Sequence, residues 1–425
     1  MNEDLTDELG RELHHRVDRM HDTPLDLAGV QGKARAIRRT RRALAAGGAA
    51  LAVAVVVPAV FVAGHALGGA HSEGPSNPTP TPSPSATATE TTGSQPAPGE
   101  LDVSHLPTGA APAMSYLQDD RLHFHDGGAG DLHWRYTPNS FVEMNDGSRV
   151  WQTTDNGTPY VEIQDSDGGF HAPVATGWGL TVNPTHTAVA WLDTHGQVIL
   201  WEARATDPRP LGDPVPGSDL RLGPLTGEGI GAGGGSGPGC AGTVCTVYVN
   251  AAGSPGKVYE VSDSGTQQLR DGGYLKLADM SQAGLSIGLT KVTDSKTCSK
   301  LLGSGEFQGF ETCANQLDTF SPDGQLILAW PSYFDGAGPG GIAVYDLQGT
   351  PLFERSATAD VQSYVTGAVW EDDTHLLAPA YQDGKWALVR IASDGTMEYA
   401  VPPTKGPFDQ SPFVLPVDNL YAAPQ

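Results

Sequence analysis

The chain has little of several things. It holds four cysteines in 425 residues, the first at Cys240. Charged residues make up 17% and aromatics 7%. Lys and Arg number 25 against 49 Asp and Glu, for a formal net charge of −24. The low charge density excludes a highly charged disordered chain. The shortage of positive charge argues against wholesale binding to nucleic acid, whose phosphates attract cations. The sequence also lacks a P-loop, a dinucleotide fingerprint, an H-E-x-x-H pair and a G-x-S-x-G elbow. No catalytic residue and no cofactor is therefore expected. What the chain has in quantity is Gly (54) and Pro (33), about a fifth of all residues. Both penalise helix interiors, so a helix bundle is excluded and a turn-rich all-β protein expected.

Charge and hydropathy divide the chain into four segments. Residues 1–42 form a basic, amphipathic head. Leu5, Leu9, Leu13, Val17 and Met20 recur at helical spacing and make one apolar stripe. One short helix cannot make a core, so the stripe must face lipid, a partner or a copy of itself. Lys33, Arg35, Arg38, Arg39, Arg41 and Arg42 then place six positive charges in ten residues. Residues 43–67 contain no Asp, Glu, Lys or Arg. As a helix they would span about 37 Å, enough for a hydrocarbon core of ~30 Å. The basic cluster puts the N-terminus in the cytoplasm and the rest outside. Residues 68–100 include a tract with seven Pro and ten Ser/Thr in Gly74–Glu100, read as a disordered stalk. Residues 101–425 hold all eight Trp and all four Cys and are expected to fold.

That last segment repeats. An apolar run with an anchor residue is followed by a turn, at Trp151, Trp201, Tyr259, Tyr345 and Val389. One gap is twice the usual spacing, which places a cryptic copy near Cys298–Cys313. Upstream of each anchor lies a polar turn and then a second apolar run, clearest in Ser321-Pro322-Asp323-Gly324 before Leu326–Trp330. Asp-Gly, suited to tight hairpins, occurs eight times. Strand, turn, strand at a period of about 45 residues predicts a β-propeller, with seven blades expected and six as the alternative. The short unit between Phe124 and Trp151 suggests a first blade completed by a C-terminal strand near Phe413-Val414-Leu415.

The Ser321–Gly324 phrase, with Val344-Tyr345-Asp346 downstream, resembles TolB-like and WD40-like β-propellers. The four-segment layout is similar to membrane-tethered propellers of high-GC actinobacteria. Some of these accompany extracytoplasmic-function sigma factors, which implies an anti-sigma-like regulator with a sigma factor as cytosolic partner of the head. The His-Cys-Cys zinc signature of one anti-sigma class is missing here.

Even cysteine number beyond a membrane span favours two disulfides. The sequential pairing, Cys240 with Cys245 and Cys298 with Cys313, is the most economical. His123, His125, His133 and Asp126 could in principle share a metal, but edge and turn positions are the simpler reading, and no metal is expected. Asp165-Ser166-Asp167-Gly168 lacks the distal Glu of a calcium loop and reads as a hairpin. Thr153-x-Asp155-x-Gly157 resembles the Asp-box turn of sialidases and reads as structural.

The expectation is a non-catalytic, membrane-anchored propeller that binds a protein or other ligand on its outer face. The alternatives are a hydrolase or lyase on a glycan or envelope polymer, with Asp119, Asp120 and Asp126 as candidate carboxylates, and an envelope scaffold.

Overall fold

The structure, a computed structural model, describes residues 95–132, 135–227, 245–253, 256–269, 273–293, 296–303, 307–332, 338–358 and 363–417. The amphipathic stripe, the basic cluster, the apolar span, most of the stalk, His133 and Cys240 lie outside these residues. Among the described residues every regular element is a β-strand, and none is a helix long and apolar enough to cross a membrane.

Local chemistry explains the many short strands. The turns between them are built on aspartate. Asp126, Asp146, Asp167, Asp193, Asp323, Asp346, Asp372 and Asp394 each accept, through Oδ1, the N–H two residues on, at 2.7–3.1 Å. A carboxylate that takes over a backbone donor bends the chain back within four residues. Glycine follows where the turn needs a positive φ, as at Gly324 (71°) in the Ser-Pro-Asp-Gly phrase. There Ser321 Oγ also accepts the N–H of Leu326 at 2.9 Å, starting the next strand. Asp167 makes the same turn, so Asp165–Gly168 is a hairpin as its sequence suggests. Asn156 and Gly157, both at positive φ, make the turn after Asp155.

The strands form six hydrogen-bonded sheets among the described residues. The first runs Phe413–Val414, Tyr116–Gln118, Arg121–His123, Ala129–Asp131. The second has seven strands, from Thr137–Glu143 to Arg209–Leu211. The third runs Leu220–Thr226, Thr246–Ala251, Lys257–Ser262, Gly265–Gln268. The fourth runs Lys276–Met280, Ser286–Val292, Thr297–Leu302, Glu311–Thr312. The fifth runs Asn315–Phe320, Leu326–Pro331, Gly341–Asp346, Pro351–Ser356. In the sixth, Ser363–Val365 and Val369–Trp370 both pair with His375–Gln382, followed by Lys385–Ala392 and Met397–Lys405.

Apolar layers join successive sheets. Leu117 and Leu122 meet Phe141 and Trp151. Leu200 and Leu211 meet Val247 and Val249. Ile287 and Leu301 meet Leu317 and Ile327. Val344 and Phe353 meet Leu376 and Val389. The third and fourth sheets are tied by polar bonds instead, Asn250 donating to Leu277 O (3.0 Å) and accepting from Leu277 N (2.8 Å). Val369, Trp386 and Leu388 return to Tyr116 and Phe413, so the last sheet packs on the first. Sheets that follow one another around a ring, each packed on the next, make an all-β propeller.

The ring is closed by the C-terminal strand. Leu117 pairs with Val414 and Gln118 with Phe413, as the short first unit suggests. Five single-blade sheets stand where seven were expected. Five sheets have the four or five strands of a single blade; the other is a continuous path of seven. Its cause is the nine-residue strand Val174–Val182. Its start pairs with Tyr160 and Val161, its end with Val189–Trp191, so one strand belongs to two neighbouring units. A sequence period counts residues and is blind to that sharing.

The stalk boundary also moves. Residues 95–100, assigned to the stalk by composition, are part of the fold. Gln95 exchanges two hydrogen bonds with Met397 (2.6 and 2.9 Å). Leu101 N donates to Ser356 O, and Gly109 N to Tyr399 O, both at 2.9 Å. Residues 95–115 thus form a strap over the fifth and sixth sheets. Leu101, Val103 and Leu106 are buried in the core shared by those sheets. Each such side chain contributes about 1.5–3 kcal/mol by burial, which offsets the entropy of ordering a Pro- and Gly-bearing segment.

Candidate binding site at the ring closure

Where the end of the strap meets the closing strand, the propeller has an open cleft of about 340 Å³. It is lined by Ala113, Met114 and Ser115 from the end of the strap and Pro416 beyond the closing strand. His125 comes from a turn of the first sheet, Glu143, Met144 and Asn145 from the first hairpin of the second, and His186 from the turn between Val174–Val182 and Ala188–Asp193 of that sheet. Met114, Met144 and Pro416 supply an apolar floor, with imidazole, amide and carboxylate groups around it. A mainly apolar concavity with a few polar groups is the usual make-up of a recognition site.

The polar groups are held in place. His186 has positive φ (52°), and its Nδ1–H donates to Glu143 O at 2.7 Å. Asn145 N donates to His186 O at 2.9 Å, locking the two hairpins together. The Glu143 carboxylate is paired with Arg149 at 2.5 Å, and that guanidinium stacks over Phe124, 5.0 Å from the ring centroid. Glu143 is therefore an ion-paired, fixed part of the wall. Two buried atoms here have no partner, Arg149 Nε and Ser115 Oγ. Ser115 is 1% exposed, and its Oγ has no hydrogen-bond partner. A buried hydroxyl left in that state costs roughly 1–3 kcal/mol.

A second polar cluster lies between the inner strands of the fourth and fifth sheets. Asp318 is 4% exposed and accepts a hydrogen bond from Trp330 Nε1 at 2.8 Å. Burial holds its carboxyl above the usual range, opposed by that bond and by Lys276. Burial pushes the Lys276 amine down to about 7, with Asp318 opposing the shift and Arg221 adding to it. Both shifts have one cause, the loss of water around charges in the interior.

The residues expected to matter fare unevenly. Cys298 and Cys313 are joined in a disulfide. Cys245 is also disulfide-bonded and fully buried. His125 reaches the cleft, whereas His123 sits inside the first sheet, stacked on Tyr116 at 4.7 Å. Among the described residues no three His, Cys, Asp or Glu side chains are grouped to hold a metal ion. The candidate carboxylates do not converge. Asp119 and Asp120 are exposed in the turn after Tyr116–Gln118, and Asp126 in the turn after Arg121–His123, at the opposite end of the same sheet. Asp126 is occupied by its own turn. Ser115, Glu143 and His186 carry no motif; only the closing strand near Phe413 pointed towards the place where they meet.

No protein-family model matches the chain, and no curated protein does. Among solved structures it is similar to the β-propeller domain of the Trilobed protease from Pyrococcus furiosus, at 8% identity over 63% of this chain and 84% of that one (TM-score 0.41). It is also similar to YCF48 bound to D1 peptide, at 15% identity over 68% and 86% (TM-score 0.40). A third is Hsv2 of Kluyvelomyces marxianus, at 12% identity over 61% and 73% (TM-score 0.36). The assignment as a β-propeller rests on the sheets and their closure described above.

Proposed function

We propose that this chain is a non-catalytic binding protein whose propeller captures a protein or other ligand in the cleft at the ring closure. The observation that carries the reading is Ser115 Oγ, a buried hydroxyl without a partner in the wall of an otherwise braced, apolar-floored cleft. In the fuller proposal the propeller stands outside the membrane, residues 43–67 cross it, and residues 1–42 meet a cytosolic partner of the sigma-factor kind through Leu5, Leu9, Leu13, Val17 and Met20. The support for that arrangement is the hydropathy and charge of the sequence.

The test places a photo-reactive amino acid in the full chain in its own cells. One variant carries it at Ala113, exposed beside the cleft; a control carries it at Lys385, at the far end of the sixth sheet's hairpin from Glu371. A discrete adduct from Ala113 that is missing from Lys385 is the expected result. No adduct at Ala113, or equal adducts at both, contradicts a cleft-centred binding role. Deleting Leu5–Met20 tests the head: unchanged transcription and no bound cytosolic protein would reduce it to an anchor.

A further inference from the structure

The strap is fastened by two arginines at two separate places. Arg355 holds its beginning, Nη1 donating to Glu100 O at 2.8 Å and to Ala97 O at 3.3 Å, while Nε donates to Gly395 O at 2.8 Å. Arg390 holds its end. Its Nη1 donates to Ala110 O and its Nη2 to Ala111 O, both at 3.0 Å. The same guanidinium is gripped by Glu371 (2.5 and 2.8 Å) and Glu398 (2.5 Å). Glu371 Oε1 also accepts the N–H of Ala113 at 2.5 Å. The Arg390 side chain is 10% exposed and that of Glu371 2%, so this is a built, interior clamp. A chain of charge-assisted bonds thus ends on Ala113, the first residue of the cleft wall. Three residues further on, Tyr116 and Leu117 pair into the first sheet, where Leu117 meets Val414 of the closing strand.

We propose that the strap is a latch linking its own beginning, residues 95–101, to the cleft. The Arg355 clamp takes up displacement of residues 97–100 first. The Arg390 clamp is the gate: while it holds, Ala113–Ser115 and the closing strand keep their places, and when it opens, the cleft wall and ring closure loosen together. By reciprocity, an occupant that braces Ala113–Ser115 tightens the latch. The inference rests on the cleft being the binding site, but its mechanical part does not need the partner.

Hydrogen exchange on the full chain, followed by mass spectrometry, tests it. Arg390→Gln should speed exchange in residues 109–118 and 413–417 by roughly tenfold or more, as expected for losing several charge-assisted bonds. Residues 97–101 should keep their protection. Arg355→Gln should do the reverse, exposing 97–106 and sparing 113–118 and 413–417. Arg390→Lys, which keeps the charge but loses the fork, should fall between wild type and Arg390→Gln. Equal acceleration across all sheets in Arg390→Gln would overturn the proposal, as would unchanged exchange in 413–417. Either failure leaves the Ala113 cross-linking result standing on its own.

Discussion

At the scale of single residues, the propeller separates groups that hold the fold from groups that wait for something else. Most buried polar side chains are satisfied, Asp318 by Trp330 and Asn250 by Leu277 among them. Ser115 is not. Replacing Ser115 by Ala should leave stability unchanged or raise it by about 1 kcal/mol, since an orphaned hydroxyl is removed. Cross-linking from Ala113 should nonetheless weaken; denaturant titration and adduct yield on the same variant separate the two effects. Lys276 gives a pH signature. Its folded pKa of about 7 lies below its ordinary 10.5. Between those values the unfolded chain holds the proton more tightly, so this group makes stability rise with pH from about 7 towards 10 and contributes no slope below 7. Thermal melts of wild type and Lys276→Met across that range should show the rise in the first and its loss in the second.

At the scale of elements, the chain announces its hairpins and hides its ends. Trp201, Tyr259, Tyr345 and Val389 sit on the third strands of their units, and the missing anchor is Thr297–Leu302, the third strand of the fourth sheet, which contains Cys298. Trp151 fits less well because it lies on Arg149–Asp155, next to the inner strand Thr137–Glu143. These strands were legible because alternation and Asp turns are local signals. The strap was not. Its partners Ser356 and Tyr399 lie more than 250 residues away, and a Pro/Ser/Thr-rich stretch gives the same composition whether it hangs free or docks. The cleft was hidden for the same reason, its wall being assembled from five segments distant in sequence. The turn chemistry makes its own prediction. At Gly324 a Cβ would meet Ser281 Cβ at 3.3 Å with φ at 71°, so Gly324→Ala should cost about 1 kcal/mol or more, read as a shift in the urea midpoint.

At the scale of the whole molecule, the charge of −24 is unevenly shared. Residues 1–42 carry nine basic and eight acidic residues, so nearly all the negative charge belongs to the remainder. Much of it in the propeller does structural work: eight aspartates hold turns, and Glu371 and Glu398 grip Arg390. The acidity therefore reflects how this propeller turns its strands as much as what its surface repels. The central claim is that the ring is closed by its own C-terminal strand, which creates the cleft. Its most direct test is a cysteine pair at Leu117→Cys and Val414→Cys, positions directly opposite in the antiparallel register. Such partners lie about 4.5–5.5 Å apart at Cα, within reach of a disulfide. Oxidation of the full chain followed by peptide mapping should yield a 117–414 linked peptide from the monomer. Cysteines that stay reduced there, or that link only between chains, would contradict the closure and with it the site.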